Sequence, residues 1–372
     1  MSGRKIAVVV GTRPDIIKIA PLVRYFESHK VNYFIIHTGQ HYSYELDRIF
    51  FEELQLPQPK YPLEIKSLAS HRQGYHVGKI LLEMEPVLLD EAPNVVLIHG
   101  DTNSALGGAL LASKISTTKE WTGYGMKIGH VEAGLRSFDR TMSEEINRVV
   151  CDHLSNFLFA PTETARQNLL KEGIDDSRIF VVGNTIVDVV LQNLAIAEKK
   201  SEVLDSLKLS PKGYFLVTLH RQENVDPKEK FRSVLDALGA LSSSYGMPVV
   251  YPIHPRSVKM MEQFSFTRPE GVAFVEPLGF LDFLKLEANA KLVLTDSGGV
   301  QEECCILRVP CVTLRENTER PETLEIGANV LAGTDKEKIL ASVKKMLSVK
   351  REWASPFGDG SSAESIAKVL LA

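Results

Sequence analysis

The 372-residue sequence predicts an α/β protein built from two parallel-sheet domains. Three observations carry that expectation. A single core rarely serves more than about 250–300 residues, and with 44% hydrophobic residues the chain can fill two. Its short apolar runs stay hydrophobic on both sides instead of alternating, the pattern of strands buried on both faces. The runs also alternate with helical segments, and past the middle of the chain the alternation starts again.

The first half opens with the strand "KIAVVVGT", the helix "PDIIKIAPLVRYFESHK", the strand "NYFIIHTGQ" and a helical stretch from about Tyr44. The strand "NVVLIHGDT" precedes the helix "NSALGGALLASKIS", and Ser116 to Met126 reads as a surface loop. The short apolar run "MKIGHVEAG" delivers Glu132 to a strand's C-terminal end. The next segment predicts a helix with Ser143 as N-cap and Glu144 in its first turn. Ile146, Val150, Leu154 and Phe157 would form its buried stripe. The strand "NFLFAPT", the helix "ETARQNLLKEG" and the segment from "IFVVGNT" complete the half.

The second half repeats the grammar in "YFLVTLHRQENV", "MPVVYPIHPRS", "VAFVEPLGF", "AKLVLTDSGGVQEECCIL" and "VPCVTLRENTERPETLEIG". Helices such as "KEKFRSVLDALGALSSSYG" and "DKEKILASVKKMLSV" lie between. The boundary is expected at Gly183–Asn184, giving domains 1–183 and 184–357, with a last helix at about 358–372 packing back on the first. These are two Rossmann-like domains, expected to face a central cleft with ligands at the strand C-terminal ends.

Composition narrows the function. Forty-three basic against 47 acidic residues give a net charge of −4, unlike the strong basic excess of a nucleic-acid binder. Cys151, Cys304, Cys305 and Cys311 lie in apolar contexts without CxxC spacing, so buried thiols are expected rather than a metal site. The N-terminus does not resemble a secretory signal, and no run approaches the ~20 apolar residues of a membrane span. The expectation is a cytoplasmic protein without a membrane partner.

The strand ends hold the polar groups. Pro14 suits a first helical position, and Arg13 and Lys18 beside that helix start suggest an anion site. Capping by Arg13 and pairing of Lys18 with Asp15 are the plain alternative. Without GxGxxG there is no case for a nicotinamide cofactor. Asp101 ends a strand as acid/base group or as helix N-cap. In the second half His220 and Arg221 share one strand end, and His254 and Arg256 another. Ser297, Gly298 and Gly299 form a small-residue turn at a helix start, suited to phosphate, with Glu303 one turn on to meet ribose hydroxyls and Arg320 nearby. A nucleotide diphosphate leaves Asp101, Glu132, Glu144 and His220 unused, and clustered carboxylates suit proton transfer. Arg136, Arg140 and Arg148 stand among the glutamates as groups to orient them, Arg136 counted with the substrate-binding residues.

In this order, "GTRPDIIKIAPL", "HTGQH", "HGDT", "GHVEAGLRS", "EEINR", "PTE", "GNT", "DSGGVQEE" and "TERPE" extend over nearly the whole chain. The set resembles the non-hydrolysing UDP-N-acetylglucosamine 2-epimerases. The resemblance implies a GT-B fold, a homodimer, a UDP-sugar substrate, and neither metal nor cofactor. It implies that Asp101, Glu132 and Glu144 are acid/base residues and that His220 assists UDP departure. Arg13 and Lys18 would stabilise the diphosphate or sugar site, and Phe280 would lie near the uracil. The chain departs from the family pattern at Ser143 (usually proline), at "HYSYEL" after Gln40 and at "LASHRQGYHVGK". Those departures leave room for a related substrate of the diacetamido-uronic acid type. A GT-B glycosyltransferase is the other alternative.

Overall fold

The computed structural model describes residues 4–39, 51–63, 65, 72–115 and 125–372. The helical stretch expected from Tyr44 is described only from Phe51, where it is helical to Glu53; the "HYSYEL" segment and the loop expected from Ser116, except for its last two residues, fall outside.

Two compact units divide the chain: Met1–Val189 with Phe357–Ala372, and Val190–Pro356. The first is built on β1 (Ile6–Val10), β2 (Tyr33–His37), β3 (Tyr61–Pro62), β4 (Val95–His99), β5 (Lys127–Val131), β6 (Phe157–Ala160) and β7 (Ile179–Val181). Its sheet runs β3-β2-β1-β4-β5-β6-β7, with every pairing parallel. The second is built on β8 (Phe215–Thr218), β9 (Val249–Pro252), β10 (Val272–Val275), β11 (Leu292–Thr295), β12 (Cys311–Thr313) and β13 (Asn329–Leu331). Its order is β10-β9-β8-β11-β12-β13, again wholly parallel. β1 and β4 are buried along their whole length, as strands covered on both faces must be.

Strand order reverses between β1 and β4 in the first sheet and between β8 and β11 in the second. In a doubly wound sheet the crossovers on either side of such a point lead away from each other. A crevice therefore opens at the strands' carboxyl ends, where ligands bind. Each unit has one.

The division between units falls inside the helix Thr185–Lys200, a few residues past Gly183–Asn184, near which the sequence places the boundary. The start of that helix is tied into the first unit: Asn184 N–H donates to Phe357 O at 2.8 Å, and Asp188 accepts from Ala363 N–H at 3.0 Å. The closing helix Ser362–Leu371 packs on Arg13–Ser28 within the same unit and buries Ala363, Ile366, Ala367 and Leu370. All four cysteines are buried thiols. Among the described residues no helix is long and apolar enough to cross a membrane.

The helix Ser143–Leu154 corrects two expectations. Its N-cap is Met142, with Ser143 as the first helical residue. Ile146 is exposed, and Val150, Leu154 and Phe157 only half-buried; Glu145, Asn147, Arg148, Cys151 and Asp152 face inward instead. The buried face is polar because it lines strand ends that carry charges, and each charge needs a partner there.

Candidate active site

In the first unit three strand ends meet. Thr12, just beyond β1, caps the helix Arg13–Ser28 in a capping box with Asp15. Asp15 is therefore engaged by Gly11 N–H and Thr12 N–H at 3.1 Å each and does not pair with Lys18. Lys18, one turn along, reaches Glu132 beyond β5. Their side chains are only 8% and 7% exposed, so the ion pair is buried. Asn184 Nδ2 also donates to Glu132, at 3.0 Å, and His99 Nε2 at the end of β4 lies 3.8 Å from the other carboxylate oxygen.

Glu132 has φ 69°, in the left-handed region that costs a residue with a Cβ about 1–2 kcal/mol. The chain turns sharply there. Ala133 N–H then bonds Phe159 O and Gly134 N–H bonds Asp152 Oδ2, both at 3.1 Å. Those bonds hold the strained residue in place, and its carboxylate is aimed at Lys18 rather than along the strand.

Asp101 follows β4 but is not the helix cap; Thr102 is, accepting from Ala105 N–H at 3.2 Å. That leaves the Asp101 carboxylate for Arg148, which donates to it and to Glu145 at 2.6 Å each. Burial alone would raise the Glu145 pKa. Donors from Ser137 N–H (3.0 Å), Arg148 and Phe138 N–H (2.8 Å) outweigh it and hold the group below the usual carboxylate range. Glu144, the neighbour, is exposed and accepts from Ser143 Oγ at 3.1 Å.

Arg136 is not brought to this cluster. Its guanidinium forks onto Glu172 with two 2.7 Å bonds and meets Asp152 at 2.7 Å, and Asp152 also engages His130 Nδ1 at 2.7 Å. Its donors are committed to protein carboxylates, so its work is to brace the turn after Glu132. Arg13 opens its helix half-exposed.

In the second unit β8 and β11 end side by side. Asp296, wholly buried after β11, accepts from His220 N–H (3.0 Å), Arg221 N–H (2.9 Å), Asn224 Nδ2 (3.2 Å) and His220 Nδ1 (2.7 Å). Burial raises its pKa, but the His220 charge and these bonds win, and the group stays ionised below the usual range. The imidazole of His220 is 44% exposed, so a buried carboxylate fixes one ring nitrogen and leaves Nε2 for a ligand. His254 caps the helix Pro255–Phe264 with its ring 5.8 Å from that of His220. Burial, then His220 and Arg256, lower its pKa. Arg256 pairs with Asp226 through bonds of 2.9 and 2.5 Å.

Ser297 precedes the helix Gly298–Ile306, whose side chains leave its first N–H groups without a cap. The two glycines differ. A Cβ on Gly298 would come 2.4 Å from Glu319 Oε1 and force that side chain aside; at Gly299 the nearest atom is 3.9 Å away, and the space lies open. A phosphate can approach that backbone. Glu303 is half-buried one turn on, and Phe280 is buried at the start of the helix Phe280–Asn289. Arg320 is held by Glu302.

The sequence model of the UDP-N-acetylglucosamine 2-epimerase family matches residues 24–371. The chain belongs to that family. Among its relatives is the UDP-N-acetylglucosamine 2-epimerase of Methanocaldococcus jannaschii, 52% identical over 373 residues that cover 98% of each chain. The crystal structure of that archaeal enzyme in complex with UDP-GlcNAc and UDP superposes with a TM-score of 0.90 over 98% of this chain and 99% of its own. The UDP-2,3-diacetamido-2,3-dideoxy-D-glucuronate 2-epimerase of Pseudomonas aeruginosa is 38% identical over 368 residues, 98% of this chain and 99% of that one. With family membership goes the GT-B class of fold: two α/β units, each around a parallel sheet.

Motif matching in an epimerase-family sequence passes over several members of these clusters. Asp296 sits inside "TDSGGVQEE" yet reads there as a helix start, and its partner His220 is 76 positions away. His99 and Asn184 likewise belong to quoted motifs, but acquire a role only through Glu132. For Asp296 the usable signal was a polar residue directly beyond the apolar run of β11.

Proposed function

We propose that the protein interconverts UDP-N-acetylglucosamine and UDP-N-acetylmannosamine, epimerising carbon 2 by eliminating and re-adding UDP. The observation that carries the reading is the buried carboxylate of Glu132, held in strained backbone beside Lys18, with Asp101 on Arg148 at the end of the adjacent strand. Full-length similarity to the archaeal 2-epimerase supports the choice of substrate.

In the proposed reaction a base removes the carbon 2 proton. The C–H electrons form the carbon 1–carbon 2 double bond of 2-acetamidoglucal, and the bond from carbon 1 to the diphosphate oxygen breaks with its electrons leaving on UDP. Re-addition delivers a proton to the opposite face while UDP returns to carbon 1. The carbon acid is weak, so catalysis depends on stabilising the leaving charge. Asp101, Glu132 and Glu144 serve as the acid/base residues, Lys18 and Arg13 as cations for sugar or diphosphate, and His220 as the group that protonates or releases UDP. The uncapped helix start at Gly298–Gly299, just after Ser297, suits phosphate, and Glu303 suits ribose. This elimination needs no metal and no nicotinamide. The proposed form is a cytoplasmic homodimer.

NMR of the protein with UDP-N-acetylglucosamine in D₂O tests the reading. Deuterium at carbon 2, a second UDP-sugar and little free sugar are expected; no exchange would overturn it. Similarity to the diacetamido-glucuronate epimerase favours a second substrate, and the same experiment with that nucleotide sugar decides between them.

A further inference from the structure

Glu287 lies on the helix Phe280–Asn289 with its side chain wholly buried. The chemistry proposed above does not use it. A buried carboxyl group needs donors, and Cys304 Sγ offers only a weak one, 3.7 Å from Oε1. Oε2 has no donor among the described residues. The helix Gly298–Ile306 packs on this one and brings a second carboxyl group beside it, that of Glu303, next in sequence to Cys304.

Two carboxylates only accept, so as a doubly ionised pair they repel; one proton converts the contact into an O–H···O bond. Burial, and next the charge of Glu303, push the Glu287 carboxyl well above its ordinary range. Of the two, Glu287 is wholly buried and Glu303 half-buried, so the shared proton is favoured on Glu287. As mere packing a carboxyl is a poor choice at a wholly buried site, because leucine or methionine would fill the volume without loss of hydration.

We propose that Glu287 is a positioning residue for nucleoside recognition: it donates its carboxyl O–H to Glu303 and holds that carboxylate in the orientation that accepts the ribose hydroxyls. The inference rests on the reading of Glu303 as the ribose-binding residue. One oxygen of Glu303 tied back to Glu287 leaves the other with a fixed direction, so a missing hydroxyl on the ligand strands a preorganised acceptor. Discrimination by an unfilled polar partner is stronger than discrimination by shape.

The test titrates UDP and 2′-deoxy-UDP calorimetrically into wild type, Glu287→Met, Glu287→Gln and Glu303→Ala, with melting curves to confirm folding. Wild type is expected to prefer UDP by about tenfold or more. Glu287→Met should lose most of that preference and raise KM with little change in kcat. Glu287→Gln, which keeps a donor to Glu303, should retain the preference. If Glu303→Ala loses the preference while Glu287→Met keeps it, the positioning role is overturned and ribose binding by Glu303 stands. Loss of the preference in Glu287→Gln as well overturns the donor argument. A preference kept in Glu303→Ala overturns both.

Discussion

At the scale of single residues, the Lys18–Glu132 pair shows what burial does to charge. Removing one member leaves the other ionised in a poorly solvating place, at a cost of about 3–5 kcal/mol. Lys18→Met is expected to lose that much stability, and Lys18→Met/Glu132→Gln to recover at least half. Urea unfolding of the full cycle checks it, and simple additivity would mean that the pair is uncoupled. Catalytically, Glu132→Gln or Asp101→Asn should abolish carbon 2 exchange while UDP binding survives; exchange persisting in both would remove them from the acid/base roles.

Asp296 links a residue to pH. Its folded pKa is depressed, so its contribution to stability is complete above the unfolded value of about 3.9 and is lost as pH falls through the folded value. Acid unfolding of Asp296→Asn should therefore be less steep below about pH 4 than that of wild type. The same substitution withdraws the carboxylate that orients His220, and kcat should fall by about 10²-fold or more. A variant that kept both its acid profile and its rate would show that the pair has no such role.

At the scale of elements, the helix Ser143–Leu154 is amphipathic with its polar side inward. Ile146→Ser on its exposed face should change stability by no more than about 0.5 kcal/mol. Arg148→Met should cost about 3 kcal/mol, because Glu145, 3% exposed, is left without its guanidinium. Periodicity placed this helix in the sequence but assigned its faces the wrong way round. Hydrophobic pattern identifies the buried side only where the buried side is apolar, and a helix over charged strand ends breaks that assumption.

At the scale of the molecule, residues 357–372 complete the first unit from the far end of the chain. Phe357, Ile366 and Leu370 are wholly buried there. At about 1.5–3 kcal/mol each they account for roughly 5–9 kcal/mol, comparable with the whole stability of a domain, about 5–15 kcal/mol. Truncation after Pro356 should thus unfold the first unit and abolish exchange at carbon 2. Hydrogen exchange should show lost protection confined to residues up to Val189; protection retained there would mean that the last helix is dispensable.

The strands of both sheets were legible in the sequence apart from two short edge strands, β3 and β13, because doubly buried strands write continuous apolar runs. Glu132, His220 and the Ser297–Gly299 turn were legible too, since each stands directly beyond such a run. By itself, then, the sequence determined the α/β class, the strand ends that carry the polar and charged groups and, through its ordered motifs, the family. Tertiary structure decided the pairings: Lys18 with Glu132 instead of Asp15, Arg148 with Asp101, Arg136 with Asp152 and Glu172, Asp296 with His220. These depend on strand order and on the left-handed turn at Glu132, which bring together residues up to 114 positions apart. Local pattern records which groups a segment offers; distance in space, set by the whole chain, selects the partner.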